Sequence, residues 1–148
     1  MSSDVEDLYQ RIILDHNKHP RNFRAVERGR SAEGHNPLCG DQITVHVRID
    51  DGRVAEAGFL GAGCAIAKAS ASLMTESVTG LDVDAVRALA ARFERLVTAA
   101  AAAPVEDLGP LTAFVGVRRF PVRAKCALLA WRTLVAAIDA GEGVVSTE

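Results

Sequence analysis

Three cysteines and one aspartate, Cys39, Asp41, Cys64 and Cys126, are the residues of this chain best suited to chemistry. Cys39 and Asp41 stand two apart at the start of a candidate strand. In extended chain, residues i and i+2 point to the same side, so a thiolate and a carboxylate there can share one ion. Cys64 follows Gly61-Ala62-Gly63, where a helix is about to begin. Unpaired backbone N–H groups and the helix dipole favour thiolate over thiol at such a place. Cys126 falls in the first turns of the last candidate helix, where the same field applies and Arg123 and Lys125 add positive charge. Both metal binding and nucleophilic sulfur chemistry need thiolates so placed. The cysteines are far apart in sequence, unlike the close Cys-x-x-Cys pairs of zinc fingers. Spacing alone is a weak signal, and on that ground each reads more readily as a small buried hydrophobe.

The elements that must position these residues follow from periodicity. Ser3-x-x-Glu6 forms a capping box, and Val5, Leu8, Tyr9, Ile12 and Ile13 recur at helical spacing until His19-Pro20 ends the helix. Arg21 to Gly40 reads as loop with one short strand. Ile43, Val45, Val47 and Ile49 alternate with Gln42, Thr44, His46 and Arg48, the period of a half-buried strand. Asp51-Gly52 signals a hairpin, Arg53 to Leu60 is the returning strand, and Gly61-Ala62-Gly63 breaks it. A helix of small residues spans about Ala65 to Val78. Asp82 caps another through Val86, Leu89, Phe93 and Leu96, and a last helix from about Val122 carries Cys126, Leu129, Leu134 and Ile138. The fold class expected is α+β, a small antiparallel β-sheet packed against helices.

Composition narrows the function classes. The chain of 148 residues fits one domain. Lys and Arg number 17 against 19 Asp and Glu, without the basic excess that neutralising phosphates requires, so no nucleic-acid partner is expected. The N-terminus MSSDVEDLYQ lacks the basic-then-apolar pattern of a signal peptide. The apolar stretch Leu96 to Val105 is far shorter than the ~20 residues of a membrane span. A cytoplasmic protein with no membrane partner is the expectation, and an odd number of cysteines there favours metal or catalytic thiols over disulfides.

Four motifs carry a resemblance. Leu8 to Asn22 reads LYQRIILDHNKHPRN, Asn36 to Ile43 NPLCGDQI, Phe59 to Thr75 FLGAGCAIAKASASLMT, and Phe120 to Trp131 FPVRAKCALLAW. In this order, over nearly the whole chain, they resemble the iron–sulfur cluster assembly family typified by IscU and the N-terminal part of NifU, and most closely its SufU branch. IscU-type scaffolds carry a histidine immediately before the third cysteine, where this chain has Lys125. Protonated lysine has no lone pair for a metal. The segment between the second and third cysteines is also longer here, and residues 79–117 look like a SufU-type insertion within a single domain, 1–148.

The resemblance implies a zinc ion held by Cys39, Asp41, Cys64 and Cys126. It also implies a zinc-dependent sulfurtransferase that takes persulfide sulfur from a SufS-type PLP-dependent cysteine desulfurase on Cys39 and supplies downstream cluster assembly proteins. A zinc with four protein ligands is closed, so Cys39, in the loop between Pro37 and Gly40, is the ligand expected to leave. Two alternatives stand beside it: a scaffold holding iron or a [2Fe–2S] cluster on the same cysteines, and a non-catalytic zinc adaptor of the desulfurase. Arg123 is a candidate to hold Asp41 or orient the incoming persulfide, against a simple surface ion pair. His35 is a reserve ligand. His16 and His19 read as capping or surface residues and His46 as the polar side of a strand. Ser70 and Ser72 read as close helix packing, and Trp131 as core.

Overall fold

The computed structural model describes the backbone of residues 3–140 and 144–146 and the side chains of residues 4–139. Helix α1 (Ser3–Lys18) leads into strands β1 (Arg30–Asn36), β2 (Asp41–Asp50) and β3 (Arg53–Ala62). Helices α2 (Ala65–Val78) and α3 (Val83–Thr98), a 3-10 segment (Gly109–Arg119), helix α4 (Pro121–Ala140) and strand β4 (Val144–Ser146) follow. The side-chain contact of the Ser3 capping box lies outside the described residues.

The sheet order is β3-β2-β1-β4, with the first three strands antiparallel and β4 parallel to β1. The antiparallel sheet packed against helices is the architecture expected from the sequence. The parallel edge strand was not foreseen. Nor was the full length of β1, which pairs residue by residue from Arg30↔Val47 to Asn36↔Asp41. Its inward positions are Ala32, Gly34 and Asn36, which lack the branched and aromatic side chains that mark a strand in sequence. Pairing in β3 also runs past the glycine break, to Gln42↔Ala62.

One face of the sheet is the core. Ala32, Ile43, Val45, Val47, Val54, Ala57 and Phe59 are buried beneath α4 and α2, while Gln42, Thr44, His46 and Arg48 alternate on the other face. Toward the β1–β2 turn the inward row changes character, from Gly34↔Ile43 to the buried polar pair Asn36↔Asp41. Small residues let α2 lie close to its neighbours. Ser70 donates to the Ala127 carbonyl of α4 at 2.6 Å, the packing role expected of it. Beyond α4, Phe93 stacks on Trp131 at 4.9 Å and meets Phe114 edge-on, so α3 and the 3-10 segment share one aromatic cluster.

The first motif proves to be largely an anchor. His16 is buried rather than a surface cap, and its Nδ1 lies 2.7 Å from Ser72 Oγ on α2. The same hydroxyl accepts the Arg21 backbone N–H at 2.8 Å. Asn22 donates to Thr75 Oγ1, and its carbonyl accepts the Phe59 N–H at the sheet edge. His19 stays exposed, as expected.

Burial, reinforced by the nearby Arg21 charge, holds the His16 imidazole below its ordinary pKa, so the unfolded chain takes up that proton more readily. Stability from this source is present above the ordinary histidine range and is lost as pH falls through it. The urea midpoint of the metal-free protein should therefore drop between pH 7.5 and 5.5. The drop should shrink in His16→Gln to the part owed to His46, whose pKa burial also lowers. An unchanged slope in the variant would show that His16 is not the linked group.

Candidate metal centre

The turn between β1 and β2 folds back on itself. The Cys39 N–H donates to the Asn36 carbonyl at 3.2 Å, and Gly40 takes φ +70°, a conformation glycine reaches without strain. Cys39 is thus in a turn, not in extended chain, and it is the turn rather than strand alternation that brings it back over Asp41. The residue as a whole is exposed, while its sulfur lies in a part-buried contact with that of Cys126.

Asp41, 2 % exposed, opens β2 with its carboxyl group turned into the protein. Its Oδ1 accepts the Cys64 backbone N–H at 2.8 Å, and Asn36 Nδ2 donates to Oδ2 at 3.2 Å. Gly63 permits this approach: a Cβ there would lie 2.9 Å from Asp41 Oδ1 and 3.3 Å from the Ala67 Cβ. Cys64 caps α2, its sulfur accepting the Ala67 N–H, as its position before a helix suggested. The Cys64 sulfur lies 3.9 Å from Asp41 Oδ2.

Cys126 is fully buried on α4. Its sulfur is 3.1 Å from that of Cys39, too long for a disulfide bond of about 2.05 Å, and receives an N–H from Asn36 at 3.2 Å. The helix-end field weakens beyond the first turn, and Cys126 is past it. Burial, together with the crowding of Cys39, Asp41 and Cys64, pushes its thiol well above the ordinary range. This reverses the expectation that Cys126 is poised as a thiolate by its helix and its basic neighbours. Arg123 is exposed with its guanidinium over the Phe120 ring at 5.0 Å. Among the described residues no hydrogen bond or ion pair joins it to Asp41. It lines instead a groove of about 560 Å³ bounded by α1 and the 3-10 segment.

The donor atoms of Cys39, Asp41 and Cys126 all lie within 4.8 Å of one another. The ligand atoms of a tetrahedral zinc, at about 2.0–2.3 Å from the ion, are roughly 3.5 Å apart, so this group fits such an ion with small side-chain adjustment. Cys64 stands at its edge, and the reserve ligand His35 is not in it. A buried thiol that prefers its proton and a buried carboxyl group together match a thiophilic divalent cation, which replaces the thiol proton. Asn36 is the participant that sequence reasoning missed. The only signal for it was its place in the Asn36–Ile43 motif.

Residues 8–143 match the family model described as NifU-like N-terminal domain. The chain is 34 % identical over 142 residues to a Bacillus subtilis (strain 168) protein named zinc-dependent sulfurtransferase SufU, covering 96 % of this chain and 97 % of that one. It is 35 % identical over 136 residues to the iron–sulfur cluster assembly scaffold protein IscU of Streptococcus pyogenes serotype M1, covering 92 % and 86 %. The crystal structure of a nitrogen-fixing NifU-like protein (N-terminal) from Brucella abortus superposes with a TM-score of 0.78 at 25 % identity, over 90 % of this chain and 94 % of that one. The chain belongs to the NifU-like N-terminal domain family, the iron–sulfur cluster assembly family that includes IscU and SufU.

Proposed function

We propose that this chain holds one zinc ion through Cys39, Asp41, Cys64 and Cys126 and acts in the cytoplasm as a sulfur relay in iron–sulfur cluster assembly. It takes sulfur on Cys39 from a SufS-type PLP-dependent cysteine desulfurase and delivers it to downstream assembly proteins. The observation that carries this reading is a division of labour among the sulfurs: Cys64 caps a helix, Cys126 is buried, and Cys39 is exposed on a turn while sharing a donor cluster with Cys126 and Asp41. The zinc dependence named for the Bacillus subtilis relative supports the choice of metal.

Bound there, zinc would keep the cysteine sulfurs deprotonated at neutral pH. The Cys39 thiolate attacks the outer sulfur of the desulfurase persulfide. A new S–S bond forms on Cys39, the old one breaks, and its electron pair leaves on the desulfurase cysteine as a thiolate, so no outside oxidant or reductant is needed. Leu38, 61 % exposed, adjoins Cys39 in sequence, and Phe120 and Val122 are exposed just before Cys126. They supply apolar surface suited to a docked partner. The scaffold reading draws on the IscU relatives, but Lys125, directly before Cys126, has no lone pair to offer a metal when protonated. Colour after anaerobic purification separates the two, since a cluster absorbs visible light and zinc does not.

Intact mass after incubation with desulfurase and cysteine should show added sulfur on the zinc-loaded wild type and none on Cys39→Ala. Equal sulfur on the variant would move the acceptor elsewhere. Asp41→Ala should speed zinc loss to a chelator about tenfold or more. In the metal-free protein it should cost about 1–3 kcal/mol, because the Cys64 and Asn36 donors lose their acceptor. Unchanged zinc release from Asp41→Ala would exclude Asp41 as a ligand.

A further inference from the structure

We infer that Asn36 is a positioning residue of this centre: its side-chain amide gives one N–H to Asp41 and the other to Cys126, and so fixes how both present their donor atoms to a bound cation. Asn36 is fully buried at the end of β1, directly opposite Asp41. Its Nδ2 lies 3.2 Å from Asp41 Oδ2 and 3.2 Å from Cys126 Sγ. A primary amide has two N–H donors, and both are used here on candidate ligands. The Asn36 backbone carbonyl takes the Cys39 N–H, so one residue touches Cys39, Asp41 and Cys126, which the chain brings from a turn, a strand and a distant helix.

The orientation of the amide is itself informative. Its Oδ1 is buried without a hydrogen-bond partner among the described residues. Turning the group over would exchange that orphan for a carbonyl oxygen facing a carboxyl oxygen and a sulfur. The site favours donors on that side, which suits ligands that carry negative charge once a cation is bound. An N–H on the Cys126 sulfur also draws off part of its charge, leaving it a weaker nucleophile than a thiolate without such a donor. Among the described residues no amide donates to the Cys39 sulfur. Asn36 therefore helps to make Cys126 a sulfur that holds. This inference rests on the metal-holding part of the proposed function and not on sulfur transfer.

The test begins with wild-type protein labelled for nuclear magnetic resonance and loaded first with zinc, then with the magnetically active isotope of cadmium. Both Asn36 side-chain amide protons should shift downfield and exchange more slowly than in metal-free protein, and one should show coupling to cadmium through the Cys126 sulfur. Asn36→Leu, which fills similar volume without donors, should lose zinc to a competing chelator about tenfold faster or more. Amide protons unmoved with cadmium bound, or a folded Asn36→Leu releasing zinc within about twofold of wild type, would overturn the assignment. Failure of the wild type to take up either metal would remove the centre itself, and this inference with it.

Discussion

A carboxyl group and a thiol at the end of a packed sheet can stay there only if something answers their polarity. Asp41 occupies that position, continuing the inward row of Ile43, Val45 and Val47 on β2, and Cys126 meets it from α4. Two backbone or amide donors reach Asp41, and one amide N–H reaches Cys126. These meet part of the demand. A divalent cation held with Cys39 and Cys64, as proposed above, would meet the rest, and by displacing the Cys126 proton it would reverse the preference that burial imposes.

Much of the local architecture serves that one corner. Gly63 leaves room for the Asp41 carboxyl group, Gly40 lets Cys39 turn back over it, and Ser70 ties α2 to α4 so that the helices bearing Cys64 and Cys126 are held together. His16, Arg21 and Asn22 clamp the N-terminal segment to α2 and to the sheet edge. The rigid parts present the buried ligands, and the turn presents the exposed one. That arrangement suits a centre in which one sulfur moves while the rest keep their places.

The fold was legible wherever side-chain periodicity reflected burial. The alternation from Ile43 to Ile49 and the helical spacing of Leu89, Phe93 and Leu96 are direct records of which face meets the core. The extent of β1 escaped notice because Ala32, Gly34 and Asn36 face inward where α4 and the Asp41 corner leave little room, so the strand has almost no apolar pattern. β4 is three residues long and pairs in parallel with a strand over a hundred positions away, a contact that no local pattern encodes. At the site, the candidate donors could be read from the sequence but their surroundings could not. Cys126 lies beside Arg123 and Lys125 in sequence, yet its sulfur points into the core while Arg123 covers Phe120. Asn36 looks like an ordinary turn residue until the strand register sets it opposite Asp41.

The central claim is one zinc ion bound by Cys39, Asp41, Cys64 and Cys126, and X-ray absorption at the zinc edge tests it most directly. The account predicts three sulfur neighbours at about 2.3 Å and one oxygen at about 2.0–2.2 Å. Nitrogen neighbours in place of sulfur, or a shell of sulfur alone, would contradict it.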